Sequence, residues 1–445
     1  MIHARQALGP GGWLDNLRVT MDGGRIAALE AGRAPLPGDH RVEALVPGMS
    51  NAHSHAFQRG FSGLTEARRA GRESFWSWRE LMYRLALSID PDQMQAIAEM
   101  AYVEMLEAGF TRVGEFHYLH HDRDGRPYSD PAELSRRIFA AAANSGIALT
   151  HLPVFYAHGG FGPSPAGDGQ RRFLCGADAY LGLIEACDAM RVRPQDRVGY
   201  APHSLRAVDT DQLRAIAATL KGRKAHIHVA EQVKEVKDCL AFSTLRPVEL
   251  LYDTVEVDAD WCLIHATHLT QAETALIAGS GAVAGLCPVT EANLGDGLFP
   301  AINFMGANGS IAIGTDSNVR IDLAEELRLL EYGQRLVAQE RNVLAHPGGS
   351  TGGRLFSAAL SGGAQALGNG PAELAVGAPA DLVALADPLE LEMTGAALLD
   401  RWIFGRDVSV SDVWAAGAHV VTDGRHVQRE AVARRYALAL RRALA

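Results

Sequence analysis

Four apolar runs, far apart in this chain, each end in metal-binding or proton-transferring side chains. These side chains are His53 with His55, His228 with Glu231, His265, and Asp316. In a parallel α/β barrel, polar residues at the carboxyl ends of the strands meet at one face and form the active site. The pattern therefore predicts an α/β fold, a (β/α)8 barrel, with a hydrolytic metal centre at that face.

His53 and His55 are two residues apart, so both imidazoles project from the same face of an extended strand. Neutral imidazole favours zinc and its neighbours among the divalent metals. A polar strand end without any ligand would also explain an isolated His-x-His pair. Residues 46–52 lead from an apolar stretch through turn residues into the pair, which is typical of a first barrel strand. We therefore interpret the pair as metal ligands.

The second segment, residues 224–231, places His226 and His228 on one strand face, and only context separates them. We predict His228 as the ligand, because it is nearer the strand end and nearer Glu231. His226 is then a packed, hydrogen-bonded histidine deeper in the barrel. Glu231 is predicted to shuttle protons, since a carboxylate beside an activated water can pass a proton to a leaving nitrogen. The alternative for Glu231 is a surface acid at the start of the next helix.

Residues 260–265 and 310–316 repeat the pattern of a short apolar strand with a titratable end. Asp316 is predicted both to bind the metal and to accept a proton from the nucleophilic water. His265 is predicted to orient that water or to stabilise charge on the substrate. His268 is the alternative for this role, but a residue three positions further on would face elsewhere if the strand continues.

With Gly314-Thr-Asp-Ser-Asn318 added, these motifs resemble the amidohydrolase superfamily and, within it, the mononuclear metal-dependent deaminases. The resemblance covers nearly the whole chain. It implies a (β/α)8 barrel with a small β-sandwich domain formed by the N- and C-terminal segments. Four further segments resemble, more narrowly, the formimidoylglutamate deiminase family: Phe75-Trp-Ser-Trp-Arg79, Gly114-Glu-Phe-His-Tyr118, Ala201-Pro-His-Ser-Leu-Arg206 and Cys287-Pro-Val-Thr-Glu-Ala-Asn-Leu-Gly-Asp296.

The resemblance implies one divalent metal per chain, with zinc preferred and iron or manganese as alternatives. Residues 197–203 offer no lysine for the carbamylated ligand of binuclear relatives, which favours a single metal. The implied metal ligands are His53, His55, His228 and Asp316. The implied catalytic residues are Glu231, His265 and Asp316. The implied contacts to substrate carboxylates are Gln58, Arg79, Tyr118, His203 and Arg206.

The activity implied is hydrolysis of N-formimidoyl-L-glutamate to N-formyl-L-glutamate and ammonia in histidine degradation. The net charge of −10 should repel this dicarboxylate from the surface as a whole. Capture then depends on a local cationic pocket, for which Arg79 and Arg206 offer guanidinium groups that pair bidentately with carboxylates. One alternative is a deaminase of guanine, cytosine or thio-adenosine compounds, which lack paired carboxylates. The other is a non-catalytic binding protein, which we would expect to have lost metal ligands.

The length of 445 residues and the hydrophobic content of 47% predict a large barrel domain with a smaller domain beside it. We predict small-domain segments at residues 1–46 and 366–445, and a barrel over residues 47–365. Short β-prone pieces at 16–20, 24–29, 377–385 and 413–421 are predicted strands. Residues 91–108 have helical spacing, and residues 429–445 predict a terminal helix with an arginine-rich face.

Composition also excludes several classes of partner. No apolar run reaches the roughly 18 residues of a membrane span, and no signal segment is evident. The acidic balance and the lack of a basic cluster argue against nucleic acid binding. Five scattered cysteines suit reduced thiols in the cytoplasm. The resemblance implies a homodimer.

Two further patterns are assigned structural roles. The glycine-rich residues 347–354 lack the Gly-Lys-Ser/Thr ending of a phosphate-binding loop, so we predict a flexible turn before a helix at 355–367. His117, His120 and His121 form a dense cluster, which we predict to line or cover a pocket rather than to bind a second metal. Trp76 and Trp78 beside Arg79 predict a folded lid rather than a free loop.

Overall fold

The computed structural model describes residues 1–67, 75–389, 391 and 393–444, and leaves out the side chains of residues 75–77. The strands of the two chain ends are β1 (Ile2–Gly9), β2 (Gly12–Asp22), β3 (Arg25–Glu30), β4 (His40–Pro47), and, after the central strands, β14 (Leu382–Ala386), β15 (Ser409–Ala415), β16 (Ala418–Thr422) and β17 (Arg425–His426). The central strands are β5 (Met49–Ser54), β6 (Phe110–His117), β7 (Ala148–Phe155), β8 (Arg197–Val198), β9 (Ala201–Pro202), β10 (Ala225–Val229), β11 (Trp261–His265), β12 (Val283–Leu286) and β13 (Ser310–Ile313).

The helices of the described residues alternate with the central strands and continue to the C-terminus. They are α1 (Phe75–Ser88), α2 (Pro91–Glu107), α3 (Glu133–Ser145), α4 (Ala177–Ala189), α5 (Thr210–Thr219), α6 (Val233–Ser243), α7 (Pro247–Thr254), α8 (Gln271–Ser280), α9 (Pro288–Leu294), α10 (Ala301–Gly306), α11 (Leu323–Ala338), α12 (Thr351–Ala366), α13 (Ala396–Phe404) and α14 (Arg429–Leu444). This alternation is the βα pattern expected for a parallel sheet.

The central strands close into a parallel barrel. Strands β5 to β8 and strands β10 to β13 form two parallel sheets, and β9 continues the position of β8 by pairing with β7. Bridges Tyr200↔Ala225 and Ser54↔Asp316 join the two sheets at both edges. Every residue of β6 and β7 is buried, as expected for strands covered on both faces. The predicted barrel fold is confirmed.

Both chain ends build one small β domain. Its sheet has the order β17-β16-β15-β14-β4-β1-β2-β3, so the strands of the two chain ends meet where β14 pairs with β4. The sheet encloses its own apolar cluster, which includes Leu17, Leu45 and Trp414 and is separate from the barrel core. Four strands come from each end of the chain, which confirms the predicted small domain formed by both termini.

Helix α2 shows why its sequence forms a helix where it does. Asp90 caps it by accepting a hydrogen bond from the backbone N–H of Gln93, whose side chain accepts from the N–H of Asp90, and Pro91 occupies the first turn. The terminal helix α14 packs against α2. Its Arg435 pairs with Glu99, so this part of the arginine-rich face holds the fold together.

Two local expectations are wrong in detail. Helix α12 begins at Thr351 rather than at residue 355, because Ser350 caps it by accepting from Gly353 N–H. The glycines at its start lie against α13, where a Cβ on Gly352 would come 2.9 Å from backbone atoms of Asp400. Residues 413–421 form parts of two antiparallel strands, since the chain turns at Ala416 in a left-handed conformation.

The helices of the described residues include no candidate for a membrane span, because none combines the necessary length with sufficient hydropathy.

Candidate metal centre and active site

Four side chains from three barrel strands, β5, β10 and β13, converge at the carboxyl ends of those strands. Each offers one ligand atom, and these atoms lie within 4.8 Å of one another. The Nε2 atoms of His53 and His55 lie 3.4 and 3.2 Å from Oδ1 of Asp316, respectively. Nε2 of His228 lies 3.1 Å from Nε2 of His53. The structure therefore brings together the four predicted metal ligands.

The hydrogen bonds behind these rings decide which nitrogen faces the cluster as an acceptor. Nδ1 of His55 lies 2.8 Å from the carbonyl oxygen of Phe116, and Nδ1 of His228 lies 3.0 Å from that of His203. Because a carbonyl can only accept, both Nδ1 atoms carry a proton, which leaves Nε2 as the atom of each ring available to a metal. Burial also lowers the pKa of His53 to about 3. Three imidazole nitrogens and a carboxylate that face one another at these distances fit a divalent cation.

A buried network fixes the ends of β5 and β13 against each other. Asn51 Nδ2 donates to Thr315 Oγ1 at 2.7 Å, and Thr315 Oγ1 donates to Asn318 Oδ1 at 2.6 Å. Gly314 is required here, because a Cβ would come 2.8 Å from the backbone N and Cβ of His53. Asp316 then turns into the site with a φ of 44°, a left-handed conformation that costs energy for a non-glycine residue.

His265 lies between three carboxylates next to the metal cluster. Its Nδ1 is 3.2 Å from Oε1 of Glu291, and its Nε2 is 4.0 Å from Oε1 of Glu231 and 3.7 Å from Oδ2 of Asp316. Burial opposes a charge on this ring, but the neighbouring carboxylates outweigh burial and raise its pKa to about 10. His265 therefore faces the site as a cationic donor, held by a backbone φ of 66°.

Glu231 follows β10 and is positioned through its backbone. The N–H groups of Ala230 and Glu231 donate to the carboxylate of Glu235 at 3.3 and 3.1 Å. Burial raises the pKa of Glu231, although the charges of His265 and Arg206 act in the opposite direction. Such a carboxyl group is suited to carrying a proton.

A pocket adjoins the cluster at the carboxyl ends of the strands. It is lined by all five predicted substrate-binding residues and by the three predicted catalytic residues. The complete lining is His55, Gln58, Trp78, Arg79, Met82, Tyr83, Tyr118, Tyr156, Phe173, His203, Arg206, His228, Glu231, His265, Leu294 and Asp316.

The part of the pocket beyond the cluster combines aromatic rings with two guanidinium groups. Gln58 Nε2 donates to Tyr118 Oη at 2.7 Å. The Cζ atom of Arg79 lies 5.5 Å from the ring centroid of Tyr83. Burial lowers the pKa of His203 well below its ordinary value, and the charges of Arg206 and Arg79 lower it further. The positive charges of Arg79 and Arg206 therefore both lie near His203, on one wall of the pocket.

Comparison with known proteins agrees with this geometry. The amidohydrolase family profile matches residues 44–420, and the profile of the N-terminal domain of formimidoylglutamate deiminase HutF matches residues 1–43. The formimidoylglutamate deiminase of Pseudomonas aeruginosa is 51% identical over 441 residues, which cover 98% of this chain and 97% of that protein. The chain belongs to the formimidoylglutamate deiminase branch of the amidohydrolase family.

Solved structures and more distant relatives of this amidohydrolase are consistent with that assignment. The crystal structure of an amidohydrolase from Brucella melitensis has a TM-score of 0.98 and 52% identity, and the match covers 100% of this chain and 99% of that one. A zinc-bound adenosine deaminase structure from Xanthomonas campestris shares the fold, with a TM-score of 0.81 and 24% identity over 100% and 98% of the two chains. A 5-methylthioadenosine/S-adenosylhomocysteine deaminase of Natronomonas pharaonis is 26% identical, covering 78% of this chain and 74% of that protein.

Several residues in or next to the amidohydrolase pocket were not predicted from the sequence. Glu291 lies in the first turn of α9, within residues 287–296, which carry part of the family resemblance, but the sequence indicated no role for it. Tyr83, Tyr156 and Phe173 also line the pocket, but none of them belongs to a strand that ends in metal-binding or proton-transferring side chains. Trp78 lines it as well, in helix α1 next to Arg79, whereas the side chain of Trp76 lies outside the described residues.

The other histidines noted in the sequence lie outside the metal cluster. Nε2 of His226 contacts the carbonyl oxygen of Ala366 at 2.9 Å, in a packed position inside the barrel. His268 does not line the pocket. Contrary to the prediction, none of His117, His120 and His121 lines the pocket; His120 and His121 instead hydrogen-bond to the backbone carbonyls of Val154 and Leu174. Among the described residues, no group of potential metal ligands includes these histidines.

Proposed function

We propose that this amidohydrolase hydrolyses N-formimidoyl-L-glutamate to N-formyl-L-glutamate and ammonia, as a step of histidine degradation. The observation that carries the proposal is one pocket in which the metal-ligand cluster and two arginines lie together. The reaction needs an activated water at the formimidoyl carbon and an anchor for two carboxylates. Both requirements are met by residues that line the same pocket.

Arg79 and Arg206 are proposed to bind the carboxylates of the substrate. Arg206 is half-buried, and burial alone would lower the pKa of its guanidinium, but the carboxylates of Glu235 and Glu231 raise it above its ordinary value. The group therefore stays charged inside a protein whose net charge is −10. Gln58, Tyr118 and His203 would complete the contacts with amide, phenol and imidazole donors.

The four-residue cluster is proposed to hold one zinc ion. Three imidazoles and one carboxylate are ligands that zinc prefers, while iron or manganese would also be accepted. A divalent ion bound there would lower the pKa of a water molecule to about 7. Metal analysis of the purified protein tests this assignment, and loss of ammonia release after chelation is the expected result. Full activity of metal-free protein would contradict it.

The chain's own residues divide the proton transfers between them. Asp316, itself a member of the cluster, would accept a proton from the nucleophilic water. His265, 3.7 Å from Asp316, donates toward charge that develops on the substrate. Glu231, whose Oε1 lies 4.0 Å from the same Nε2 of His265, would carry a proton to the nitrogen that leaves as ammonia.

Substitution Glu231→Gln tests the proton transfer. We expect it to keep the metal content and to lower kcat by about 10²- to 10⁴-fold, since it removes one acid–base group. Glu249→Gln is the matched control, because Glu249 caps helix α7 outside the pocket. Activity that is unchanged in the Glu231 variant would remove this residue from the mechanism.

Substitution Arg206→Ala tests the carboxylate assignment. We expect kcat/KM to fall through a higher KM for N-formimidoyl-L-glutamate. Arg223→Ala is the control, because Arg223 pairs with Asp188 away from the pocket. The same enzyme assayed with adenosine, guanine and cytosine should release little ammonia. Preferential turnover of a heterocycle would favour the alternative deaminase function.

We also propose that the protein is a cytoplasmic homodimer. All five cysteines are free, which fits a reducing compartment. Helix α11 exposes Tyr332, Leu336 and Val337, and contiguous exposed apolar groups mark interaction surfaces. Light scattering should give twice the chain mass of 47.7 kDa, and the mass of a single chain would contradict the proposed dimer.

A further inference from the structure

A second cluster of potential metal ligands lies in the small β domain, outside the active site. It consists of His40 at the start of β4, Asp412 in β15 and His419 in β16. Oδ1 of Asp412 is 3.1 Å from Nε2 of His40 and 2.9 Å from Nε2 of His419. One ligand atom from each residue lies within 4.8 Å of the other two. Two imidazoles from distant parts of the chain thus converge on one carboxylate oxygen.

The surroundings hold this cluster in place and leave it open to solvent. Trp414 shares a face of β15 with Asp412 and pairs across the strands with His419. The rings of Trp414 and His419 stack with centroids 4.5 Å apart and planes 13° apart, while the His40 ring meets Trp414 edge-on at 5.4 Å. The side chain of Asp412 is only 9% exposed, whereas those of His40 and His419 are 41% and 31% exposed.

We propose that His40, Asp412 and His419 form a second, surface site for a divalent transition metal ion of the zinc class. Two imidazoles and one carboxylate are a donor set that zinc, copper and nickel accept. In a tetrahedral zinc site with bonds of about 2.0–2.1 Å, neighbouring ligand atoms lie roughly 3.3 Å apart. The distances of 2.9 and 3.1 Å from Asp412 are within a few tenths of an ångström of that separation.

The exposure of both histidines leaves room for water as a further ligand. Thr422 Oγ1 lies 3.4 Å from Nε2 of His419 and adds a hydroxyl at the edge of the site. In the metal-free form, the Asp412 carboxylate accepts from both rings, which keeps the three ligands together before an ion arrives. A bound ion would connect β4 of the N-terminal segment to β15 and β16 of the C-terminal segment. It would therefore stabilise the small domain in proportion to its binding.

Zinc uptake by the full-length protein tests the proposal. The wild-type protein and the double variant His40→Gln/His419→Gln are dialysed against the same zinc concentration, and the metal is measured by mass spectrometry. We expect the wild type to bind one more zinc ion per chain than the double variant. His346→Gln is the matched control, since His346 is an exposed histidine in a loop outside the cluster. Equal zinc content in wild type and double variant would overturn the proposal.

Two readouts separate this site from the active site and from misfolding. Ammonia release should be the same in all three proteins, because neither histidine lines the catalytic pocket. In the wild-type protein, zinc should protect His40 and His419 from acylation by diethyl pyrocarbonate but leave His346 reactive, as mapped by peptide mass spectrometry. Equal acylation of His40 and His419 with and without zinc would overturn the proposal without any variant having to fold.

Discussion

Glu291→Gln tests how the active site keeps the His265 ring positively charged. The Glu291 carboxylate lies 3.2 Å from Nδ1 of His265, and both side chains are nearly inaccessible to solvent, at 6% and 1% exposure. At an effective dielectric constant of about 20, the Coulomb attraction across this distance is about 5 kcal/mol, which is an upper limit. The glutamine carbonyl keeps the hydrogen bonds from His265 and from the Cys287 N–H but loses the charge. A charged acceptor is worth at most about 2.5 kcal/mol more than a neutral one, so kcat/KM should fall measurably but by no more than about 70-fold.

The assay is steady-state ammonia release from N-formimidoyl-L-glutamate, with the metal content measured on the same samples. Metal content should not change, because Glu291 contributes no atom to the four-residue ligand cluster. The control is Glu331→Gln, which removes another buried carboxylate that accepts backbone N–H groups, but outside the pocket. This control should lower stability without lowering kcat/KM. A Glu291 variant with full kcat/KM and normal metal content would refute the reasoning.

Three predictions concern stability, each measured by the midpoint of urea unfolding. Gly362→Ala should lower the free energy of unfolding by about 1–3 kcal/mol, because the added Cβ would lie 1.9 Å from the backbone carbonyl oxygen of Ile311. Gly279→Ala is the control and should not destabilise the protein, because its Cβ would have no atom within 4 Å. Arg246→Ala should cost about 3–5 kcal/mol, since it leaves the 1% exposed Glu273 carboxylate without its cation, and an unchanged midpoint would contradict this. Burial lowers the pKa of His426 below its ordinary 6.5, so stability should fall as the pH drops below that value. His426→Gln should weaken this pH dependence, and an identical profile would exclude the residue as its source.

The predicted elements that proved accurate were those with strong local signals. The helix over residues 91–108 carries its own capping residues and was found as Pro91–Glu107. The polar endings of β5, β10, β11 and β13 were readable because buried parallel strands are apolar throughout and become polar only where they emerge. Errors fell where tertiary packing sets the boundary. The start of α12 combines the Ser350 cap, which is a local signal, with the close contact of its glycines with α13, which no local pattern reveals.

The sequence by itself determined which functional groups the site contains, namely histidines, carboxylates and arginines, and that most of them lie at strand ends. It left open which of His226 and His228 binds the metal, because alternate residues of a strand share a face and differ only in depth. Only the tertiary structure decided that Glu291 contacts His265 and that Tyr83, Tyr156 and Phe173 line the pocket. It also brought His40 to Asp412 and His419, residues more than 370 positions apart. Such contacts arise when the barrel closes and the chain ends pair, and neighbours in space then need not be neighbours in sequence.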